Sequence, residues 1–297
     1  MFILFVTDFV LFVLFSIFYP LKSLPQVVPD NTLGTENSEV NSIDELRDAI
    51  EGGAIRGDNL FHSFQEFNVS EGASVNFDNP AGIANIFSRV TGGNISEIFG
   101  TLGVDGAANL FLINPNGIVF GENSAINVNG SFLSTTADEI NFDNGEVFSA
   151  INPNLPTLTI NLPIGLGFGN NPGDIEVNGV QNNVLVEVPS FKVVKENYSS
   201  GLKVNSGNNI SLIGGNINFN GGGLQAPGGD IEVVSVGSNE IVNLLQDGDW
   251  FNVNLTNLSK FQDVRLDNAA YIDTSDEVSG NIILSGRNVV LDKGSVV

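Results

Sequence analysis

Gly173-Asp174-Ile175-Glu176-Val177 returns 56 residues later as Gly229-Asp230-Ile231-Glu232-Val233, and 51 residues after that, more loosely, as Gly280-Asn281-Ile282-Ile283-Leu284. Each copy is a turn followed by alternating apolar and polar side chains, the period of a half-buried strand. Spaced recurrence favours a solenoid of stacked coils, roughly 20 residues each. The same texture extends outward from about Ile55. It recurs at Ile126-Asn127-Val128, Leu158-Thr159-Ile160-Asn161-Leu162, Val184-Leu185-Val186-Glu187-Val188, Ile210-Ser211-Leu212 and Ile217-Asn218-Phe219, with Asn-Gly, Gly-Gly and Asn-Pro turns between. A strand with one apolar face must bury it, and stacked coils supply a continuous core. Asn at equivalent turn positions can hydrogen-bond along the axis. At about 4.8 Å per coil, some 250 residues would make about a dozen coils and a rod of about 60 Å. A β-sandwich explains the alternation but not the spaced repeats. One short helix is expected, with Ser42 capping residues 43–50, Glu45 closing a capping box and Gly52-Gly53 ending it.

The 297 residues carry 34 Asp and Glu against 11 Lys and Arg, a net charge of −23, with one His and no Cys. Disulfide scaffolds and thiolate metal sites are therefore excluded. A strongly acidic surface repels phosphate, so nucleic acid is not an expected partner. With 42% apolar and 15% charged residues, the chain is not a solvated disordered polymer. Phe2 to Tyr19 is an apolar run broken by Thr7, Asp8 and Ser16, with Pro20 and Pro25 following. It reads as an atypical signal sequence over residues 1–25, the mature chain starting near Gln26; a retained anchor helix is the rival.

A more specific pattern runs through residues 26–145. Its segments are Asn59-Leu60-Phe61-His62-Ser63-Phe64, Phe67-Asn68-Val69, Ile86-Phe87-Ser88-Arg89-Val90-Thr91-Gly92-Gly93, Ala108-Asn109-Leu110-Phe111-Leu112-Ile113, Asn114-Pro115-Asn116-Gly117-Ile118, Phe120-Gly121, Gly130-Ser131-Phe132 and Thr135-Thr136-Ala137-Asp138. In order and spacing this resembles the haemagglutination activity domain, the N-terminal two-partner secretion domain of filamentous-haemagglutinin-like proteins, in its cyanobacterial form. The resemblance implies an all-β fold, a right-handed parallel β-helix (a single-stranded solenoid) with an N-terminal capping region. It implies a secretion domain over 26–145 and a β-helix extension over 146–297. The last residues read as another strand repeat, and family members run longer, so a truncated exoprotein, a fragment of a split reading frame or a minimal version is expected. Export would pass through the periplasm, where the recognition domains of an outer-membrane pore bind the N-terminal domain. The product would be a secreted or surface-exposed adhesin, monomeric and without cofactor, facing an unidentified glycan or protein receptor.

Asn114-Pro115-Asn116-Gly117 also reads directly as a β-turn, Pro fixing φ at the second position and Gly suiting the fourth, with Ile113 and Ile118 as flanking core residues. In the resembled family this motif is tied to secretion. Asn59, Leu60, Phe61, His62, Ser63, Phe64, Arg89, Gly92 and Gly93 are expected to be structural. A single His makes neither a triad nor a zinc site. Arg56-Gly57-Asp58 is expected to be a plain turn. Asp174 and Asp230 lack the nine-residue tandem of calcium-binding β-rolls, so no metal is expected. The alternative function is a β-helical lyase or hydrolase acting on polysaccharide, which needs clustered carboxylates or a Lys/Arg base on one face. A toxin carrier would need a further C-terminal domain.

Overall fold

The computed structural model describes residues 26–153, 158–180, 185–187, 189, 192–194 and 200–297. The apolar segment from Phe2 to Tyr19 lies outside them. Among the described residues all regular elements are strands, and the body is a parallel β-helix. Each coil visits three faces in turn. The broad face stacks Asn59–Asn68, Asn85–Val90, Asn109–Ile113, Phe132–Thr135, Ile210–Gly214, Ile231–Ser235 and Ile282–Ser285, each parallel to the next. The second face stacks Ser96–Ile98, Ile118–Phe120, Ile175–Asn178, Ile217–Asn220, Asp263–Asp267 and Asn288–Leu291. The third runs from Arg47–Gly52 through Ser74–Asp78 and Thr101–Asp105 to Ala125–Asn127, and continues as Leu202–Lys203, Gly223–Gln225 and Tyr271–Asp273.

Register places like on like. Leu60, Ile86, Leu110, Phe132, Ile210, Ile231 and Ile282 form one column on the broad face. They point inward with Ile118, Ile175 and Ile217 of the second face and with Phe77 and Leu102 of the third, filling one continuous core. Alternate broad-face residues point outward and are buried too: Phe61, Phe87, Phe111, Ile113, Leu133, Ile213 and Val234 belong to a second core. An antiparallel sheet covers them, made from two insertions: Glu139–Phe142, Val147–Ser149 and Pro163–Gly167, then Ile241–Asp247 and Trp250–Asn254. Up to Ile231–Ser235 the broad face is thus dry on both sides, which is why its strands read as near-continuous apolar runs.

Four sequence expectations change. The helix over residues 43–50 is a hairpin, Ser38–Asp44 against Arg47–Gly52. Ser42 bonds Asp48 across it at 2.7 Å, and Asp44 caps the turn by accepting from the Leu46 amide. An isolated helix that short is marginal, whereas the strand pairs with Ser74–Asp78 and buries Ile50. Among the described residues the rod has seven broad-face coils rather than about twelve, about 30 Å of stacked strands. Successive steps are 26, 24, 22, 78, 21 and 51 residues, because the two long ones contain insertions. The copies at 173 and 229 do not stack on each other. Ile175 sits on the second face between Ile118 and Ile217, while Ile231 sits on the broad face and stacks on Ile282. Residues 158–162 are irregular rather than a strand: Thr159 Oγ1 accepts from the Asn161 amide and from Asn144 Nδ2, which bends the chain. Of the run at 184–188, residues 184 and 188 lie outside the described residues, and Leu185–Glu187 pairs antiparallel with Lys192–Val194.

The N-terminal end of the stack is capped. Gln26–Pro29 and Ala54–Arg56 both pair antiparallel with Asn59–Asn68, covering an edge that would otherwise invite association. Gly53 makes the turn possible: its φ is +80°, and a Cβ there would meet the Phe61 carbonyl at 2.7 Å and His62 Cε1 at 2.8 Å.

Candidate functional site

Asn114, Pro115, Asn116, Gly117 and Ile118 form the corner between the broad and second faces. Gly117 N donates to Asn114 O at 3.2 Å, closing the β-turn. Asn114 is fully buried; its Oδ1 accepts from the Asn116 amide, and its Nδ2 donates to Asn94 O and Ser96 Oγ in the coil below, each at 3.0 Å. Pro115 is half-buried and Asn116 exposed, its Nδ2 donating to Gly92 O at 2.8 Å. The coil above stacks through backbone: Gly173 N donates to Pro115 O, and Ile118 N to Asp174 O. A Cβ on Gly173 would fall 2.5 Å from the Asn116 carbonyl carbon, so only glycine fits there. Gly92 and Gly93 are therefore brought to the corner. The outer surface beside it is a shallow depression of about 340 Å³ lined by Ile95, Asn116, Val119, Asp174 and Glu176 among others, with Ile95 43% exposed.

The other sequence-predicted residues lie on the broad face in three layers. Leu60, His62 and Phe64 face the inner core, and Phe61 faces the outer core against Phe87 and Phe148. His62 has Nδ1 3.0 Å from Ser38 Oγ, Nε2 without a partner, and a ring packed on Phe64 and Phe77. Burial pushes its pKa down to about 3, so it is neutral and structural. Asn59 begins a ladder along the strand starts: Asn85 Nδ2 donates to Asn59 Oδ1, Asn109 Nδ2 to Asn85 Oδ1, and the Ser131 amide to Asn109 Oδ1. It continues from the Asn209 amide to Ser131 Oγ, the Asp230 amide to Asn209 Oδ1, and the Asn281 amide to Asp230 Oδ1. Asp174 does the same at the next corner for the Asn216 amide. Both carboxylates are thus engaged with backbone.

Ser63 and Arg89 meet in the outer layer. Arg89 is 1% exposed, yet every branch of its guanidinium is used: Nε to Ser63 Oγ, Nη1 to Ser149 O, and Nη2 to Thr32 Oγ1 and Pro153 O. Its guanidinium also lies 4.3 Å from the centre of the Phe148 ring. Burial lowers its pKa to about 10, opposed by the charge of Asp30. Asp30 reaches it through hydroxyls, accepting from Thr32, Ser63 and Thr91. Burial opposes ionisation of Asp30, but those hydrogen bonds together hold its pKa below the usual carboxylate value. The network ties the cap, the first two coils and the first insertion together. Asp30, Thr32, Thr91 and Ser149 carry no sequence signal for this, since apart from the Asp30–Thr32 pair the partners lie 26 to 64 positions apart and obey no local spacing. Arg56 pairs with Glu36 at 2.7 Å, and Gly57 turns at φ +61°, so Arg56-Gly57-Asp58 is a hairpin turn.

The family described as TPS secretion domain matches residues 25–287. The heme/hemopexin-binding protein of Haemophilus influenzae (strain ATCC 51907 / DSM 11121 / KW20 / Rd) is 35% identical over 82 residues, covering 28% of this chain and 9% of that protein. A second heme/hemopexin-binding protein of Haemophilus influenzae is 37% identical over 75 residues, 25% of this chain and 8% of that one. The matched stretches span less than a tenth of these curated relatives. The crystal structure of the HMW1 secretion domain from Haemophilus influenzae superposes with a TM-score of 0.50 at 20% identity, over 84% of this chain and 54% of that one, a likeness of fold. The capped end, the corner and all of the stacked body before Asn288–Leu291 lie within the matched range, and the chain belongs to the TPS secretion domain family, the domain of exoproteins that leave the cell by two-partner secretion.

Proposed function

We propose that this chain is the export-directing part of a surface adhesin, and that its Asn114–Ile118 corner is read by the periplasmic recognition domains of an outer-membrane pore. The observation that supports this is the corner itself. Asn114 is spent entirely on holding the turn, while Pro115, Asn116 and Ile95 beside it face solvent. The turn thus presents a fixed backbone shape with a small apolar contact. Heme and hemopexin binding belongs to the names of relatives far longer than the matched segment, and the role assigned to this chain is export and adhesion rather than catalysis. Fusion of the chain to a reporter, with and without the cognate pore, tests the reading: display at the cell surface should require the pore, and equal display in both cases rejects it. Asn116→Ala should lower display while leaving thermal stability near that of the parent. If display follows stability alone across Asn114→Ala and Asn116→Ala, the corner acts only as a fold element.

A further inference from the structure

The sheet over the broad face is assembled from chain segments far apart in sequence. The first insertion contributes Glu139–Phe142, Val147–Ser149 and Pro163–Gly167, and the second contributes Ile241–Asp247 and Trp250–Asn254. They join where Gly165, Leu166 and Gly167 pair with Asn243, Val242 and Ile241. The first insertion covers the outward Phe61 and Phe87 through Phe142 and Phe148. Phe111 is different. Its aromatic cover is Trp250 at 5.4 Å and Phe251 at 6.0 Å, and the neighbouring Asn109 donates to Asp249 O at 2.9 Å, 140 positions away. The second insertion follows directly from Ile231–Ser235, so the stacking of that coil carries it to the first insertion. It is pinned there by the buried Glu232, which accepts from the Val253 amide at 2.8 Å and from Ser211.

We propose that the Ile241–Asn254 hairpin is a strap that closes only after the coils beneath it have stacked, locking the first coils to the later ones over Phe111. The inner core needs only contacts between successive coils, 21 to 78 positions apart against the 140 from Asn109 to Asp249, and so forms progressively. The strap needs the intervening coils in place before its long-range contacts are rewarded. In a chain leaving a pore from its N-terminus, Phe111 stays wet until residue 254 is outside, and closure then opposes backsliding. That consequence rests on the export reading; the folding order does not.

Trp250 is the single tryptophan and is buried, so its emission reports closure. In stopped-flow refolding of the full chain from urea, far-UV circular dichroism should develop first. The blue shift of Trp250 should follow in a phase on the order of tenfold slower. Asn243→Pro, placed in the joining strand, should slow or abolish the second phase and leave the first unchanged. Pulsed hydrogen exchange on the unaltered chain supplies the control that needs no variant: amides of 59–68 and 85–90 should be protected before those of 163–167 and 241–247. Simultaneous protection, or Trp250 burial in the first phase, overturns the strap. Loss of pore-dependent display with the folding order intact would reject the export reading alone.

Discussion

The first coils and the last coils share one cross-section but are specified by different means. From Asn59 to Thr135 the ladder begins with Asn side chains bonded to one another, the outward face is a column of aromatic rings, and Arg89 is buried with five partners. Arg89 is also the only cation of the sequence between residues 59 and 180. From Ile210 onward the inward and outward residues are mostly Ile, Leu and Val, and cations sit on the surface: Arg287 with Asp263, Arg265 with Asp267 and Asp292, Lys293 with Asp267. Desolvated, directional contacts define the beginning of the rod, and the generic period-two pattern with solvated ion pairs defines its end. Residue identity should therefore matter more in the first coils than in the last.

Arg89→Ala should give the largest effect. It leaves Asp30 with its charge uncompensated and strips donors from Ser149 O and Pro153 O. Breaking a buried charge network from one side costs about 3–5 kcal/mol. Equilibrium urea unfolding measures it as a lowered midpoint at unchanged slope. Arg89→Lys should recover only part, since an ammonium cannot reach Ser63, Ser149 and Thr32 with one planar fork. A near-neutral Arg89→Ala would dissolve the contrast between the two ends.

His62 sharpens the same contrast as a pH effect. Its pKa falls from the ordinary 6.5 to about 3 on folding because burial disfavours the imidazolium. The folded state therefore favours the neutral ring, and this stability is full above pH 6.5 and is lost as pH falls toward 3. At pH 5 the loss is about 2 kcal/mol, one and a half pKa intervals at 1.36 each. Urea midpoints at pH 7.5 and pH 5 measure it, and His62→Leu should flatten that part of the profile. Asn85→Ala comes next, at about 1–3 kcal/mol, because it strands Asn59 Oδ1 and leaves Asn109 Nδ2 with Asp249 O as its one remaining acceptor.

Much of this was legible beforehand, for definable reasons. Period-two alternation marked the strands at Ile210, Ile217 and Ile231, and Asn-Pro-Asn-Gly encoded its turn through the fixed φ of Pro115 and the positive φ of Gly117. The ordered segments from Asn59 to Asp138 pointed to the family. The insertions were hidden because Ile140, Leu166 and Val242 alternate like solenoid strands while pairing antiparallel outside it. That confusion also inflated the coil count. The Arg89 network was invisible because it joins residues by packing rather than spacing, and Ser42 resembled a helix cap because Ser serves a hairpin equally well.

The smallest predicted effect lies at the far end of the rod and closes the comparison from the other side. Arg287 bonds Asp263 through Nε at 3.0 Å and Nη2 at 2.7 Å, a bidentate geometry as good as any in the molecule. Geometry alone would rank it near Arg89. Exposure reverses the ranking: its side chain is 65% accessible, so water replaces the partner when the pair opens, and ordering two long side chains offsets most of the attraction. Arg287→Ala should leave the urea midpoint unchanged within error, in low salt and in 1 M salt alike. A midpoint shift comparable with that of Arg89→Ala, vanishing at high salt, would mean that surface ion pairs rather than buried identity hold the later coils in register.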